Sequence, residues 1–262
     1  AVSQHIRYLE EQYDTPLFIR EKKKLYLTDA GQILKDSLET LQSDDHRMKI
    51  RMQQSMAGKK GLTFGVTMTI GEYAVIPSLA RFLKAHPQWE IHICYGNTQT
   101  LLSRLREGTL DFAIVEGYFR EDLYTTRILQ KEPFIGVASS KHIFQKPVSC
   151  LRDLTGERLL LREHGSGTRA ILTKILALNN LSAEDFSHII EIENIHAIVS
   201  LLREDCGISF LYQSAVQKEL EDKTLIEIPL SDFKIAHDFS FIWNKDSIFS
   251  AQYEAIFQEL QK

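Results

Sequence analysis

Cysteine is scarce and scattered in this sequence. Cys94, Cys150 and Cys206 are its only three, with no C-x-x-C among them, which argues against a disulfide framework and a paired-thiol redox motif. They sit in or beside apolar runs and read as buried, reduced packing residues. No stretch approaches the roughly 20 apolar residues that a membrane helix needs, and the opening residues do not read as a signal peptide. The expectation is a cytoplasmic chain without a membrane partner. Catalytic wording is missing too: there is no H-E-x-x-H, no G-x-x-x-x-G-K and no G-x-S-x-G. Nine histidines and three cysteines form no metal-spaced cluster. No catalytic residue, metal or cofactor is therefore expected, although a fold alone does not exclude catalysis.

What is present is ordinary in amount and uneven in place. Hydrophobic residues make up 44% and charged residues 25% of 262, as in a soluble globular protein of one to three domains. Lys and Arg number 31 against 35 Asp and Glu, a net charge of −4. Residues 1–60 carry 11 basic and 9 acidic side chains, which leaves 20 and 26 for the rest. A slightly basic opening segment on an acidic body keeps a nucleic-acid partner open for that segment.

Residues 28–57 read as one long helix. Thr28 or Asp29 supplies an N-cap, no proline interrupts, and Gly58 with Lys59 and Lys60 supplies a stop. About 28 residues at roughly 1.5 Å each make a rod of about 40 Å. Leu34, Leu38, Leu41, Met48 and Met52 step by threes, fours and one seven, with Asp45 and Ser55 at seam positions. That is a narrow, interrupted coiled-coil seam. A helix with so little apolar surface is not expected in the core of either flanking segment. It is expected to pair with a second copy through Leu34, Leu38, Leu41 and Met48, a solvated linker helix being the plainer alternative.

Before the rod, Val2, Ile6, Leu9 and Tyr13 predict a helix with one buried face. Its other face carries Ser3, Gln4 and Arg7, side chains of the kind that reach phosphates and base edges in a major groove. Residues 17–20, ending in Arg20, and 25–27 flank Glu21-Lys22-Lys23-Lys24 and predict a hairpin with a basic tip. The order of words Ala1-Val2-Ser3-Gln4-His5-Ile6-Arg7-Tyr8-Leu9-Glu10-Glu11, then Thr15-Pro16-Leu17-Phe18-Ile19-Arg20, then Leu27-Thr28-Asp29-Ala30-Gly31 closely resembles the DNA-binding module of LysR-type transcriptional regulators. The resemblance continues along essentially the whole chain. It departs at the front, where the two helices that precede the recognition helix in that family are absent, so an N-terminally truncated chain is expected.

From residue 62 the period changes. Strands at 62–66, 90–95 and 111–115 alternate with helices at 72–85 and 98–107. A second set has strands at 133–139, 158–162, 189–192 and 207–211 with helices at 168–179 and 195–204. Such alternation predicts α/β architecture: a mostly parallel sheet with helices on both faces, in two lobes. The family resemblance implies a partial winged helix-turn-helix at 1–27 and a linker or dimerisation helix at 28–60. A two-lobe, periplasmic-binding-protein-like (type II) effector domain follows, with lobe I at 61–133 and 237–262 and lobe II at 134–236. It also implies duplex DNA as a partner, met by Ser3, Gln4, Arg7, Arg20, Lys22, Lys23 and Lys24, and a homodimer or homotetramer.

In open α/β sheets, ligands sit beyond the carboxyl ends of the strands, where helix N-termini offer free N–H groups. That rule selects Thr67-Met68-Thr69, Gly96-Asn97-Thr98-Gln99, Glu116-Gly117 and Gly165-Ser166-Gly167-Thr168-Arg169. Glycines let backbone approach a ligand, hydroxyls and N–H groups donate, and Arg169 carries charge, so the set asks for an anion. Each Ser or Thr taken singly also reads as a helix cap. The resemblance points to the same loops as an effector site: Thr67, Thr69, Asn97, Thr98, Glu116, Ser166, Gly167, Thr168 and Arg169, with Asn194 and His196 opening a further helix. The expected function is a ligand-responsive DNA-binding regulator that senses a small anionic metabolite between two lobes. A stand-alone solute-binding protein and an enzyme on the same scaffold are the alternatives.

Overall fold

The structure, a computed structural model, describes residues 2–56, 58 and 60–261. Ala1, Ala57, Lys59 and Lys262 lie outside the described residues, and with them the first residue of the DNA-binding wording, the last of the expected rod and one lysine of its stop.

Helix α1 (Val2–Gln12) forms as its periodicity predicts, but its apolar face is not buried. Val2 is 73% and Tyr13 57% exposed, against expectation, because an amphipathic face buries only where a second layer covers it. The hairpin that follows meets α1 through Glu10, whose carboxylate accepts from the backbone N–H of Leu17 at 2.8 Å. In that hairpin β1 (Phe18–Glu21) and β2 (Lys24–Leu27) pair from Phe18↔Leu27 to Glu21↔Lys24. Lys22 and Lys23 are left as a two-residue turn with φ of 44° and 69°. The twist of the strands demands that left-handed geometry, which Asn-Gly would adopt with less strain; here it holds two exposed cations at the tip.

Helix α2 (Asp29–Met56) is the expected rod. The Thr28 hydroxyl caps it, accepting from Gly31 N–H at 2.9 Å while donating to the Pro16 carbonyl at 2.7 Å. Gly58 follows its described end with φ 68°.

One continuous nine-stranded sheet carries the rest, in the order β4-β3-β5-β11-β6-β9-β7-β8, with β10 on β6. Lobe I contains β3 (Lys60–Val66), β4 (Trp89–Tyr95) and β5 (Phe112–Val115), all parallel. Helices α3 (Ile76–Ala85), α4 (Thr98–Arg106) and the last helix, α8 (Ser250–Gln261), accompany them. Lobe II contains β7 (Arg158–Leu161), β8 (His188–Glu191), β9 (Ile208–Tyr212) and β10 (Leu225–Glu227) with α5 (Gly167–Leu178), α6 (Ile195–Arg203) and α7 (Gln217–Glu221). Two long strands run through both lobes: β6 (Tyr124–Ser139) and β11 (Ile235–Asn244) pair antiparallel from Tyr124↔Asn244 to Phe134↔Ile235, with a bulge at Phe239/Ser240. The expected mostly parallel sheet is thus parallel at its two flanks and antiparallel in the middle. One apolar cluster spans the join, from Phe64 and Phe112 in lobe I through Phe239 to Phe134 and Tyr212.

Two local departures have clear causes. The helix expected at 72–85 is a π-helical turn (Ile70–Ala74) and then α3, with Val75 N–H bonded to the Ile70 carbonyl at 2.9 Å. Restarting at Ile76 places Pro77 in a first turn, where its missing N–H costs nothing. The three cysteines are free and half-buried rather than buried, since each stands at the margin of its apolar run.

The expectation that α2 shares no core fails in part. Ser43, Asp44 and Arg47 are buried, and they pack on lobe I by polar contacts that an apolar-periodicity argument does not register. The Arg47 guanidinium pairs with Asp111, just before β5, with Nε at 3.1 Å and a second, shorter contact. Arg51 reaches the same carboxylate at 2.8 Å and lies over the Phe249 ring at 3.9 Å. Asp44 accepts from the Ser247 hydroxyl at 2.6 Å and from Ile248 N–H at 2.9 Å. The apolar stripe faces the other way: Leu38, Leu41, Met48 and Met52 are exposed.

Candidate functional site between the lobes

The carboxyl ends of β3, β5, β7 and β9 deliver their loops to one interlobe seam, so most sequence-selected residues meet there. Glu116 lies at its centre, 2% exposed. The Thr67 hydroxyl from the end of β3 donates to its Oε2. The Thr168 hydroxyl, in the first turn of α5, is 3.4 Å from its Oε1. Thr98, opening α4, donates to the Glu116 carbonyl at 2.8 Å. Burial pushes the Glu116 carboxyl above its ordinary range, with the Thr67 hydroxyl, the Arg162 charge and the Thr168 hydroxyl pulling the other way.

Backbone packs against backbone beside that carboxylate. A Cβ on Gly117, which has φ 95°, would fall 2.5 Å from the Gly167 Cα, and one on Gly167 would fall 2.1 Å from the Glu116 carbonyl oxygen. Only glycines let the two loops approach so closely. Around them Gln99 N–H donates to the Gly165 carbonyl at 3.2 Å. Asn97 caps α4 by accepting from Thr100 N–H at 3.0 Å and reaches the His164 carbonyl at 3.4 Å.

Among the described residues, two buried hydroxyls in these loops have no partner, Thr69 Oγ1 and Ser166 Oγ. Ser166 stands at the N-cap position of α5 and its hydroxyl makes no bond to the helix, so the cap reading does not account for that hydroxyl. Tyr212, ending β9, also has a buried hydroxyl without a partner. Ser166 lines a hollow of about 710 Å³ between α5, Gln99 and Tyr118, with Lys174 Nζ 3.9 Å from the Tyr118 ring centre. A second hollow, of about 550 Å³, opens on the other side of the seam between Tyr95, Asn97, Arg162 and Asn194.

Two selected residues serve other partners. Arg169 pairs with Glu191 and donates to the Arg162 carbonyl at 3.0 Å, so its charge is already matched. His196, at the start of α6, bridges to lobe I: Nε2 is 2.9 Å from Glu72 and Nδ1 is 2.9 Å from the Tyr73 hydroxyl. Asn194 caps α6, accepting from Ala197 N–H at 2.9 Å. Burial, and then Glu72 and Glu219, raise the Tyr73 phenol to about 12. Sequence reasoning missed Glu72 and Tyr73 because a uniform α-helix was expected there, and the π-helical turn aims them at lobe II. Among the described residues no cluster of His, Cys, Asp and Glu could hold a metal ion, and no helix is long and apolar enough to cross a membrane.

The model of the LysR substrate binding domain matches residues 58–262, and that of the bacterial regulatory helix-turn-helix protein, lysR family, matches residues 1–32. The chain belongs to the LysR family of transcriptional regulators. Among curated relatives of this LysR-type chain is a probable RuBisCO transcriptional regulator of Thalassiosira pseudonana, 27% identical over 99% of this chain and 87% of the relative. Among solved structures, the Synechocystis CcmR regulatory domain in complex with 2-PG aligns with TM-score 0.68 at 19% identity, over 78% of this chain and 96% of that one. The effector binding domain of QuiR in complex with shikimate aligns with TM-score 0.65 at 20% identity, over 78% and 96%. These structural likenesses establish the shared fold of the two-lobe domain.

Proposed function

We propose that this LysR-type regulator senses a small acid in the seam, seated on Thr67, Thr69, Ser166 and Thr168 at the N-terminus of α5. One observation carries the reading: two buried hydroxyls, Thr69 from one lobe and Ser166 from the other, have no partner among the described residues. A buried polar group left unpaired costs about 1–3 kcal/mol, and a hydrogen bond to a charged group returns about 1.5–3. The α5 N-terminus adds to this, because its free N–H groups favour negative charge. The shikimate named with the QuiR domain is a carboxylate, which supports the class. Asn97, Thr98 and Gly167 shape the seat, and Arg169 and His196 border it.

Binding alters transcription by favouring one arrangement of the lobes over another. In this reading the stripe of half-buried Leu34 and exposed Leu38, Leu41 and Met48 pairs with the same stripe of a second copy, giving a homodimer or homotetramer in the cytoplasm. Ser3, Gln4 and Arg7, all exposed, read the DNA groove. Arg20, Lys22, Lys23 and Lys24 hold phosphates. Calorimetry with shikimate, 2-PG and sulfate as probes tests the seat. Ser166→Ala and Thr168→Val should each weaken the best-bound probe about tenfold. Equal affinity in wild type and both variants would place the acid elsewhere.

A further inference from the structure

The seat proposed for an acid is occupied by the protein's own carboxylate. Glu116 accepts from Thr67 of lobe I and faces Thr168 of lobe II, so the two hydroxyls are bridged across the seam without any ligand. Among the described residues no cation touches it. Arg162, whose charge reaches it from the end of β7, holds Glu163 instead, with Nε at 2.8 Å and Nη2 at 3.1 Å. Among the described residues the buried Tyr212 hydroxyl of β9 is a further ionisable group that interacts with it. From β3 and α5 it meets only neutral Thr67 and Thr168.

An incoming anion therefore meets a fixed negative charge where it needs donors. The charged carboxylate offers only acceptors and repels it. A protonated carboxyl gains an O–H donor and turns the same side chain into a fifth hydroxyl of the seat.

We propose that Glu116 is the specificity-determining residue of the seam: it holds the seat as a tethered internal anion, and an acidic ligand enters together with one proton that the carboxyl takes from solvent. This rests on the acid-sensing reading above. Burial favours the step, since it already holds this carboxyl above the ordinary range. The ligand, by burying a second negative charge beside it, shifts it further in the same direction. A permanently ionised ligand then binds about tenfold more weakly for each pH unit above the range in which Glu116 titrates.

Sulfate is the probe, because its charge is constant between about pH 5 and 8. Calorimetry on the whole chain, in buffers of different ionisation enthalpy, reads affinity and proton uptake together. Wild type should lose affinity as pH rises and take up close to one proton. Glu116→Gln keeps shape and an acceptor oxygen, so it should bind sulfate at least about tenfold more tightly at the alkaline end, with a flattened pH profile. Glu116→Asp keeps the charge and should keep the pH dependence, which covers the case in which glutamine perturbs folding. His164 and His196 near the seam remain in every variant, so the difference between profiles isolates residue 116. Thr168→Val added to Glu116→Gln should abolish the gain; a gain that survives would put sulfate elsewhere and overturn the proposal. Identical affinity and proton uptake in wild type and Glu116→Gln would overturn it while leaving the seat intact. Absence of sulfate binding in all proteins at every pH would overturn the seat and the proposal together.

Discussion

Strand β5 has a carboxylate at each end, and the two are held in opposite ways. Asp111, just before the strand, is met by two arginines of α2, by Thr63 N–H at 2.8 Å and by the Tyr253 hydroxyl at 3.2 Å. Glu116, just after it, is met by two neutral hydroxyls. Both are buried on lobe I. The first contact joins the DNA-side rod to lobe I with full charge compensation, while the second joins lobe II to lobe I with a charge left largely uncompensated. The difference sets a charge-compensated joint between the rod and lobe I against an interlobe seam with a largely uncompensated charge, where the proposed ligand would compete.

The largest effect should come from Asp111→Ala. It leaves the buried Arg47 and the half-buried Arg51 without their carboxylate, and breaking a buried pair from one side costs about 3–5 kcal/mol, read as a lower urea midpoint. If stability stayed within 1 kcal/mol of wild type, roughly the scatter of an exposed pair, the joint would not be the weld described.

Two glycines allow the same comparison by steric means. A Cβ on Gly108, which has φ 70°, would fall 2.5 Å from the Ser43 carbonyl oxygen of α2. A Cβ on Gly167 would meet the Glu116 carbonyl oxygen. Each Ala substitution should cost about 1–3 kcal/mol. By small-angle scattering, Gly108→Ala should swing the rod from lobe I, and Gly167→Ala should open the lobes while leaving the rod in place. Coincident effects would erase the distinction between the joints.

The third effect depends on pH. The folded Glu116 carboxyl titrates above its ordinary value of 4.5, so the folded chain binds that proton more readily than the unfolded chain. Its acid form therefore stabilises the fold below that value, and the contribution is lost as pH rises through the raised one. Glu116→Gln should remove this fall from the urea-midpoint profile above about pH 4.5, whereas Asp111→Asn should not. The smallest effect is expected from Lys174→Met, which removes the cation over Tyr118 and should cost no more than about 0.5–1 kcal/mol in thermal melting.

Much of this was legible before the fold was known. The spacing of Leu34, Leu38 and Leu41 marked an outward seam, and those residues are half-buried to exposed. The carboxyl-end rule chose Thr67, Thr98, Glu116, Ser166 and Thr168, which the fold brings to one place. The stripe of Ser43, Asp44, Arg47 and Arg51 was equally visible as spacing, one face of a helix, but polar residues on a helix are ordinarily solvated. Nothing local distinguishes a buried arginine from an exposed one until its carboxylate, 64 residues away, is in place.

The sequence by itself determined the elements: the capped rod, the basic hairpin tip, the alternation of strands and helices and the loops that carry hydroxyls and glycines. These follow from short-range physics, namely periodicity, capping and turn geometry. Only the tertiary structure decided how the charges are matched. It gave Asp111 two arginines and Glu116 none in contact, turned Arg169 to Glu191, and set His196 against Glu72 and Tyr73 across the lobes. Electrostatic partners are chosen by distance in space and by the loss of water around them, and neither is a property of neighbours along the chain.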